Sequence, residues 1–133
     1  MAVTYALEPD LAAGDFRQVL IASGLAARRP ADDLARLDAM LRNAQIIVAA
    51  RDGSRLVGIS RAITDYSYCC YLSDLAVDAA WQGRGIGKRL VAETHKAAGT
   101  LTGLYLVSAP AAESYYPKIG MKPCPAFAIP RPK

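Results

Sequence analysis

Y-L-S-D-L-A-V-D-A-A-W-Q-G-R-G-I-G-K-R-L-V, residues 71–91, falls into three parts. Tyr71 to Val77 is β-branched, aromatic and aliphatic enough to be a buried strand. Asp78-Ala79-Ala80 breaks it. Gly83, Gly85 and Gly87 then alternate with Arg84, Ile86 and Lys88, and a helical pattern follows: Ile86, Leu90 and Val91 on one face, continued by Thr94 and Ala97. His95 and Lys96 fall in the last turn, where cations suit the dipole, and Gly99 is the stop. The stretch reads strand, glycine-rich turn, helix. The first turn of a helix carries N–H groups without an intrahelical partner. Glycines let an anion come close to them, and Arg84 and Lys88 add full charges, so a diphosphate is the natural guest. Two phosphate-binding patterns are excluded. The Walker pattern needs Ser or Thr after Gly-Lys, where Arg89 stands, and its leading glycine would fall on Gln82. The fingerprint G-x-G-x-x-G ends on Lys88 when begun at Gly83 and on Leu90 when begun at Gly85.

A third pattern fits. Gln82-Gly83-Arg84-Gly85-Ile86-Gly87 matches [RQ]-x-x-G-x-[GA], and with the strand Leu75-Ala76-Val77-Asp78 before it the segment resembles the GNAT superfamily of acyl-CoA-dependent N-acyltransferases. Downstream, residues 111–121, A-A-E-S-Y-Y-P-K-I-G-M, resemble that family's A-x-x-[FLY]-Y-x-K-x-G-[FM], with Ala112, Tyr115, Tyr116, Lys118, Gly120 and Met121 on its positions. The alternative is a glycine-rich turn serving close packing only, which does not call for three alternating glycines flanked by cations.

The resemblance implies acetyl-CoA as co-substrate and an amine that attacks its thioester directly, in a ternary complex. It places the oxyanion donor and the edge that holds the pantetheine arm on the backbone of Leu75, Ala76 and Val77. The diphosphate falls to Gln82, Gly83, Arg84, Gly85, Ile86, Gly87 and Lys88. Tyr116 takes the general-acid position, since a phenol can return a proton to the leaving thiolate; the alternative is a tyrosine packed on the core. Tyr115 reads as packing. Many relatives have an asparagine where Ala109 stands, and Ser108 is the residue left to make that contact. The family's base positions fall on Tyr71 and Ser73, and neither is a base at neutral pH. Alternation sets Tyr71, Ser73 and Leu75 on one face and Leu72, Asp74 and Ala76 on the other, so Asp74 points away unless a bulge re-aims it. Deprotonation through ordered water, or a substrate arriving neutral, is then expected. The loop Arg28-Arg29-Pro30, with Tyr66, Tyr68 and Tyr71, would flank the acceptor. Arg28 and Arg29 either bind a substrate carboxylate or form a solvated basic turn, and Arg61 and Thr64 are equally open.

Composition sets the limits. The 133 residues make one domain, 1–133, with 53% hydrophobic and 21% charged residues, as in ordinary folded proteins. A net charge of +4 from scattered cations favours an anionic ligand and not a nucleic acid. Three cysteines, Cys69 and Cys70 adjacent, do not make a secreted disulfide framework, and with a single histidine no Cys/His metal site assembles. No signal peptide or membrane span is evident, so the expected location is cytoplasmic.

In order, Val3–Leu7 reads as a strand, Asp15–Ser23 as a helix stopped by Gly24, and Asp32 onward as a second helix with Leu34, Leu37 and Leu41 inward and Asn43 closing it. Ile46–Ala50 and Arg55–Thr64 form a hairpin around Arg51-Asp52-Gly53-Ser54, and Ser67–Val77 completes a meander. Leu101–Ser108, after a crossover helix, should run parallel to the strand ending at Val77. Ala111–Ile119 reads as a short helix. Among the prolines of the tail, any strand around Phe127–Ile129 should be an edge. The whole implies an α/β (α+β) fold of GNAT type: a mixed, mostly antiparallel sheet of six to seven strands, flanked by about four helices and splayed between strands four and five. Three functions fit it: a small-molecule N-acetyltransferase, a protein or peptide acetyltransferase, and a non-catalytic acyl-CoA-binding module. A homodimer is compatible with the resemblance; metal, nucleic acid and membrane are not expected partners.

Overall fold

The meander forms because two tight turns return the chain on itself. Gly53, at φ +59°, closes the hairpin between β2 (Ile46–Asp52) and β3 (Arg55–Thr64). The Asp65 carboxylate accepts from the amides of Ser67, Tyr68 and Cys69 at 2.9, 2.8 and 3.1 Å and turns β3 into β4 (Cys69–Val77). Ahead of them β1 (Thr4–Leu7) pairs antiparallel with β2. After β4 the chain crosses over through α3 (Ile86–Ala98) and returns as β5 (Gly103–Tyr105), parallel to β4. The computed structural model describes residues 2–132, and among these the sheet has five strands in the order 1-2-3-4-5.

Two expectations are corrected here. The sheet has five strands and not six or seven, and residues 127–129 form no strand: Phe127 and Ile129 are 97% and 99% exposed, in a tail whose prolines remove donors at 123, 125, 130 and 132. The strand expected over Leu101–Ser108 shrinks to its middle three residues, and the helix expected over Ala111–Ile119 divides into a 3₁₀ turn, Pro110–Ala112, and α4 (Tyr115–Lys118).

Helices cover both faces. α1 (Ala13–Ser23) ends at Gly24, whose φ of +86° lets its N–H reach Ile21 O. α2 (Leu34–Arg42) begins with Asp33 accepting from Arg36 N at 3.0 Å and closes with Asn43 Nδ2 on Ala39 O at 2.8 Å. These two pack Phe16, Leu20, Leu37 and Leu41 on one side of the sheet against Ile47, Ile59 and Ala76. On the other side α3 packs Ile86 and Leu90 on Val48, Val57 and Ala62. Gly58 lets it come close, and a buried hydrogen bond of 2.5 Å between Ser60 and Thr94 fixes its rotation. Among the described residues no helix is long and apolar enough to cross a membrane.

β4 changes face midway. Cys70 and Leu72 lie in the core beneath α3, yet further along Leu75 and Val77 pack there, and Ala76 lies in the core beneath α1 and α2. The register shows why. Asp74 stands opposite Arg61 and Leu72 opposite Ala62, so Ser73 is an extra residue, a β-bulge. The expected grouping of Leu72, Asp74 and Ala76 on one face is thereby overturned, and Asp74 is turned toward α2.

Candidate active site

β5 pairs with β4 only at Cys69, Cys70 and Tyr71. Beyond the bulge no strand among the described residues lies beside the outer edge of β4. Asp78 N–H donates to Val57 O at 2.9 Å on the β3 side, so by alternation the N–H groups of Leu75 and Val77 point to the open edge. The sequence reading placed the donor on the backbone of Leu75, Ala76 and Val77; the fold leaves the Leu75 and Val77 N–H groups at the open edge and turns that of Ala76 toward Ile59 of β3.

The edge runs into the glycine loop. Gln82 Nε2 donates to Val77 O at 3.0 Å and ties the loop to the end of the strand. Gly83 and Gly85 have φ of +79° and +80°, and nothing lies within 4 Å of where a Cβ would stand on either. Gly85 is also the N-cap of α3, so open space lies over a helix N-terminus, with Ile86 buried and Lys88 exposed. Such a cradle suits linked phosphates. Arg84 stacks its guanidinium 4.5 Å above the Trp81 ring and stays at the surface, a partner the sequence reading had not assigned.

Gly87 serves a different purpose. A Cβ there would stand 2.5 Å from the Tyr115 hydroxyl oxygen, so this glycine makes room for a tyrosine. Tyr115, read from sequence as packing, rests its phenol on the first turn of α3. Burial pushes that phenol up, and the Lys88 amide offsets part of the rise. The Tyr116 ring meets it edge-on, centroids 5.3 Å apart. Tyr116 is half-buried, and burial first, then Tyr115, push its phenol above the usual range. It lines a cleft of about 800 Å³ between α3, the outer side of β5 and the tail, with Val91, His95, Leu104 and Met121. Ser108 lines the same cleft and donates to Ala109 O at 2.9 Å. No residue of β4 or of the 82–88 loop lines it. Leu75–Val77 and Gln82–Lys88 therefore form one group, and Tyr116 and Ser108 a second, joined through Tyr115.

The acceptor-side residues separate. Arg28 is exposed, and Tyr71 is 41% exposed. Arg29 turns inward onto the Asp74 carboxylate, with its other nitrogens on Ser73 O at 2.7 Å and Arg28 O at 2.8 Å. Arg61 binds the second Asp74 oxygen and Ser73 Oγ, the latter at 2.9 Å. Asp74 is wholly buried. This ion cluster was not foreseen, because its members are 45 and 13 residues apart and no local pattern links them.

The sequence profile of the acetyltransferase (GNAT) domain matches residues 42–123. The chain belongs to that family. The GNAT match takes in β2 to β5, α3, α4, the glycine loop and Tyr116, and leaves Arg28 and Arg29 outside. Among solved structures, a GNAT family acetyltransferase from Streptococcus pneumoniae shares the fold with a TM-score of 0.79, 19% identity and coverage of 99% of this chain and all of the other. An aminoglycoside N-acetyltransferase, AAC(6')-Iy, in complex with CoA superposes with a TM-score of 0.75 at 15% identity over 98% and 94%. The histone acetyltransferase TAP1 of Glycine max is 32% identical over 48% of this chain, and the match spans only 31% of that longer protein.

Proposed function

We propose that this single GNAT domain is an N-acetyltransferase that moves the acetyl group of acetyl-CoA to the primary amine of a small molecule by direct attack in a ternary complex. The observation that carries the reading is the free edge of β4 running into an open, glycine-lined helix N-terminus. One element offers N–H groups to a thioester and the next offers them to its phosphates. The superposition on a CoA-bound enzyme supports the same reading.

In this scheme Gly83 to Lys88 hold the diphosphate, and Leu75 and Val77 hold the pantetheine arm as an added strand. The amine nitrogen attacks the thioester carbonyl, whose oxygen takes up charge against a β4 amide. The carbon–sulfur bond breaks as the carbon–nitrogen bond stands complete, the amine proton leaves through water, and the thiolate accepts a proton from Tyr116. Tyr116 stays protonated at neutral pH because burial disfavours its phenolate. With both Asp74 oxygens engaged by arginines, β4 has no carboxylate free to act as base, which supports the water route.

Incubation with acetyl-CoA and a panel of small amines, following release of free thiol, tests the proposal. Turnover with a small amine supports it. Thiol release with lysine-bearing peptides alone would favour a protein acetyltransferase, as the Glycine max relative is named. Binding of CoA without turnover on either panel would leave a non-catalytic module.

A further inference from the structure

The buried charge cluster beneath the β4 bulge has a role that stability does not explain. Asp74 shares its two oxygens between two guanidinium groups, Arg29 Nε on Oδ1 and Arg61 Nε on Oδ2, and is wholly enclosed. Taking one carboxylate wholly and two guanidinium groups largely out of water costs about what their attraction returns, and apolar side chains in such a place commonly serve a fold as well. What the cluster supplies is geometry.

That geometry centres on Ser73, the residue that β3 skips. A bulged residue loses its place in the ladder, and its polar groups need other partners. Arg29 Nη2 donates to the Ser73 carbonyl at 2.7 Å, and Arg61 Nη2 donates to its hydroxyl at 2.9 Å. Arg61 also reaches Met40 O of α2 at 3.3 Å. Three segments thus meet on one carboxylate, the stretch between α1 and α2, β3 and β4, and Arg61 links α2 to them. The last residue of β4 to pair with β5 is Tyr71, two before the bulge. The point where the strands part is the point the arginines hold.

We infer that Arg29, Asp74 and Arg61 are positioning residues for acyl transfer: they fix the Ser73 bulge, and through it the direction in which the Leu75 and Val77 amides face the thioester. They also tie the segment bearing Arg28 to that strand, so the acceptor side and the donor edge move as one body. None of the three touches a reacting atom. The inference rests on the acetyltransferase reading and goes beyond it, since nothing in that reading requires a clamp.

Its test is a cycle of Arg29→Gln, Arg29→Lys, Asp74→Asn and the Arg29→Gln/Asp74→Asn double variant. A displaced donor costs up to about a hundredfold in rate. Arg29→Gln and Asp74→Asn should therefore each lower kcat by about tenfold to a hundredfold, with the Kd for acetyl-CoA within about threefold, because the phosphate cradle is untouched. The double variant should lose no more than the worse single one, as expected of groups acting as a unit. The pH profile of kcat should keep its limbs in every variant, and Arg29→Lys should recover part of the loss. Additive losses, or a normal kcat in Arg29→Gln, overturn the inference. So does a pH limb lost in Asp74→Asn but kept in Arg29→Gln, which would make Asp74 the base. Amide hydrogen exchange needs no acceptor: in Arg29→Gln it should quicken across 72–77 and not across 46–52, and unchanged exchange sinks the clamp. Wild-type protein without turnover on any amine, beside quickened exchange in the variant, would instead sink the acetyltransferase reading and keep the clamp as a structural device only.

Discussion

Tyr116 and Asp65 titrate at opposite ends of the pH scale, and burial and hydrogen bonding shift them with opposite consequences. The Tyr116 phenol is pushed up, chiefly by desolvation, so the proton it would give to a thiolate is in place throughout the neutral range. Tyr116→Phe should lower kcat by about a hundredfold while the Kd for acetyl-CoA moves less than about twofold; equal kcat in the two proteins would remove Tyr116 from the chemistry. Because the folded value lies above the unfolded one, the stability tied to this phenol is complete below about pH 10 and is lost as pH rises through the folded value. Asp65 runs the other way. Three amides of its own turn hold its carboxyl below the usual range, so its contribution is present above about pH 4 and is lost as pH falls through the depressed folded value. Acidification should loosen the 65–69 turn first, seen as faster exchange of the Ser67, Tyr68 and Cys69 amides. Asp65→Asn should show that loosening already at neutral pH.

Elements pack closely where α3 crosses β3. A Cβ on Gly58 would stand 3.1 Å from Leu90 Cδ1, 3.2 Å from Ile86 Cγ2 and 3.3 Å from the Ala76 carbonyl, two side chains and a main chain that are all enclosed. Gly58→Ala should therefore destabilise the protein by about 1–3 kcal/mol in urea denaturation, against a negligible effect of Lys96→Ala on the last turn of the same helix. The sequence made α3 legible because its period of 3.6, its leading glycines and Gly99 all agree. The hairpin at Gly53 and the parallel return of β5 were legible for similar reasons, one from turn chemistry and the other from the crossover helix that a parallel connection needs. The bulge was not. Period-2 reading presumes an unbroken ladder, and Ser73 carries no mark that a neighbouring strand will skip it. One slipped residue moved Asp74 to the opposite face, into the grip of two arginines that no spacing rule connects to it. In the tail, where the sequence allowed at most an edge strand around Phe127–Ile129, proline flanks leave few donors and none forms.

On the scale of the whole molecule, apolar burial is divided between two cores that share one sheet, while the surface around the first turn of α3 is charged. Phe16 is fully enclosed between α1, α2 and the sheet, so Phe16→Ala should cost about 3–5 kcal/mol, a large part of the stability of a domain this size, whereas Phe127→Ala, in the exposed tail, should leave the unfolding midpoint unchanged. The charge is as unevenly used. The chain carries +4, and Arg84, Lys88 and Arg89 all stand exposed around the first turn of α3. If that end of the helix receives the phosphates of acetyl-CoA, the field of these cations draws the ligand in from solution, and dissolved ions weaken that field over a distance of about 10 Å at 0.1 M salt. If the phenol of Tyr116 and the amides of β4 act on the thioester as proposed, they do so at contact distance, where screening has little effect. Raising sodium chloride from about 0.05 to 0.5 M should therefore raise the KM for acetyl-CoA severalfold and leave kcat nearly constant. Replacing Lys88 by alanine should flatten that salt dependence. A KM indifferent to salt would mean that the loop grips its ligand through main-chain amides alone, and a kcat that falls with salt would mean that a surface charge takes part in the transfer itself.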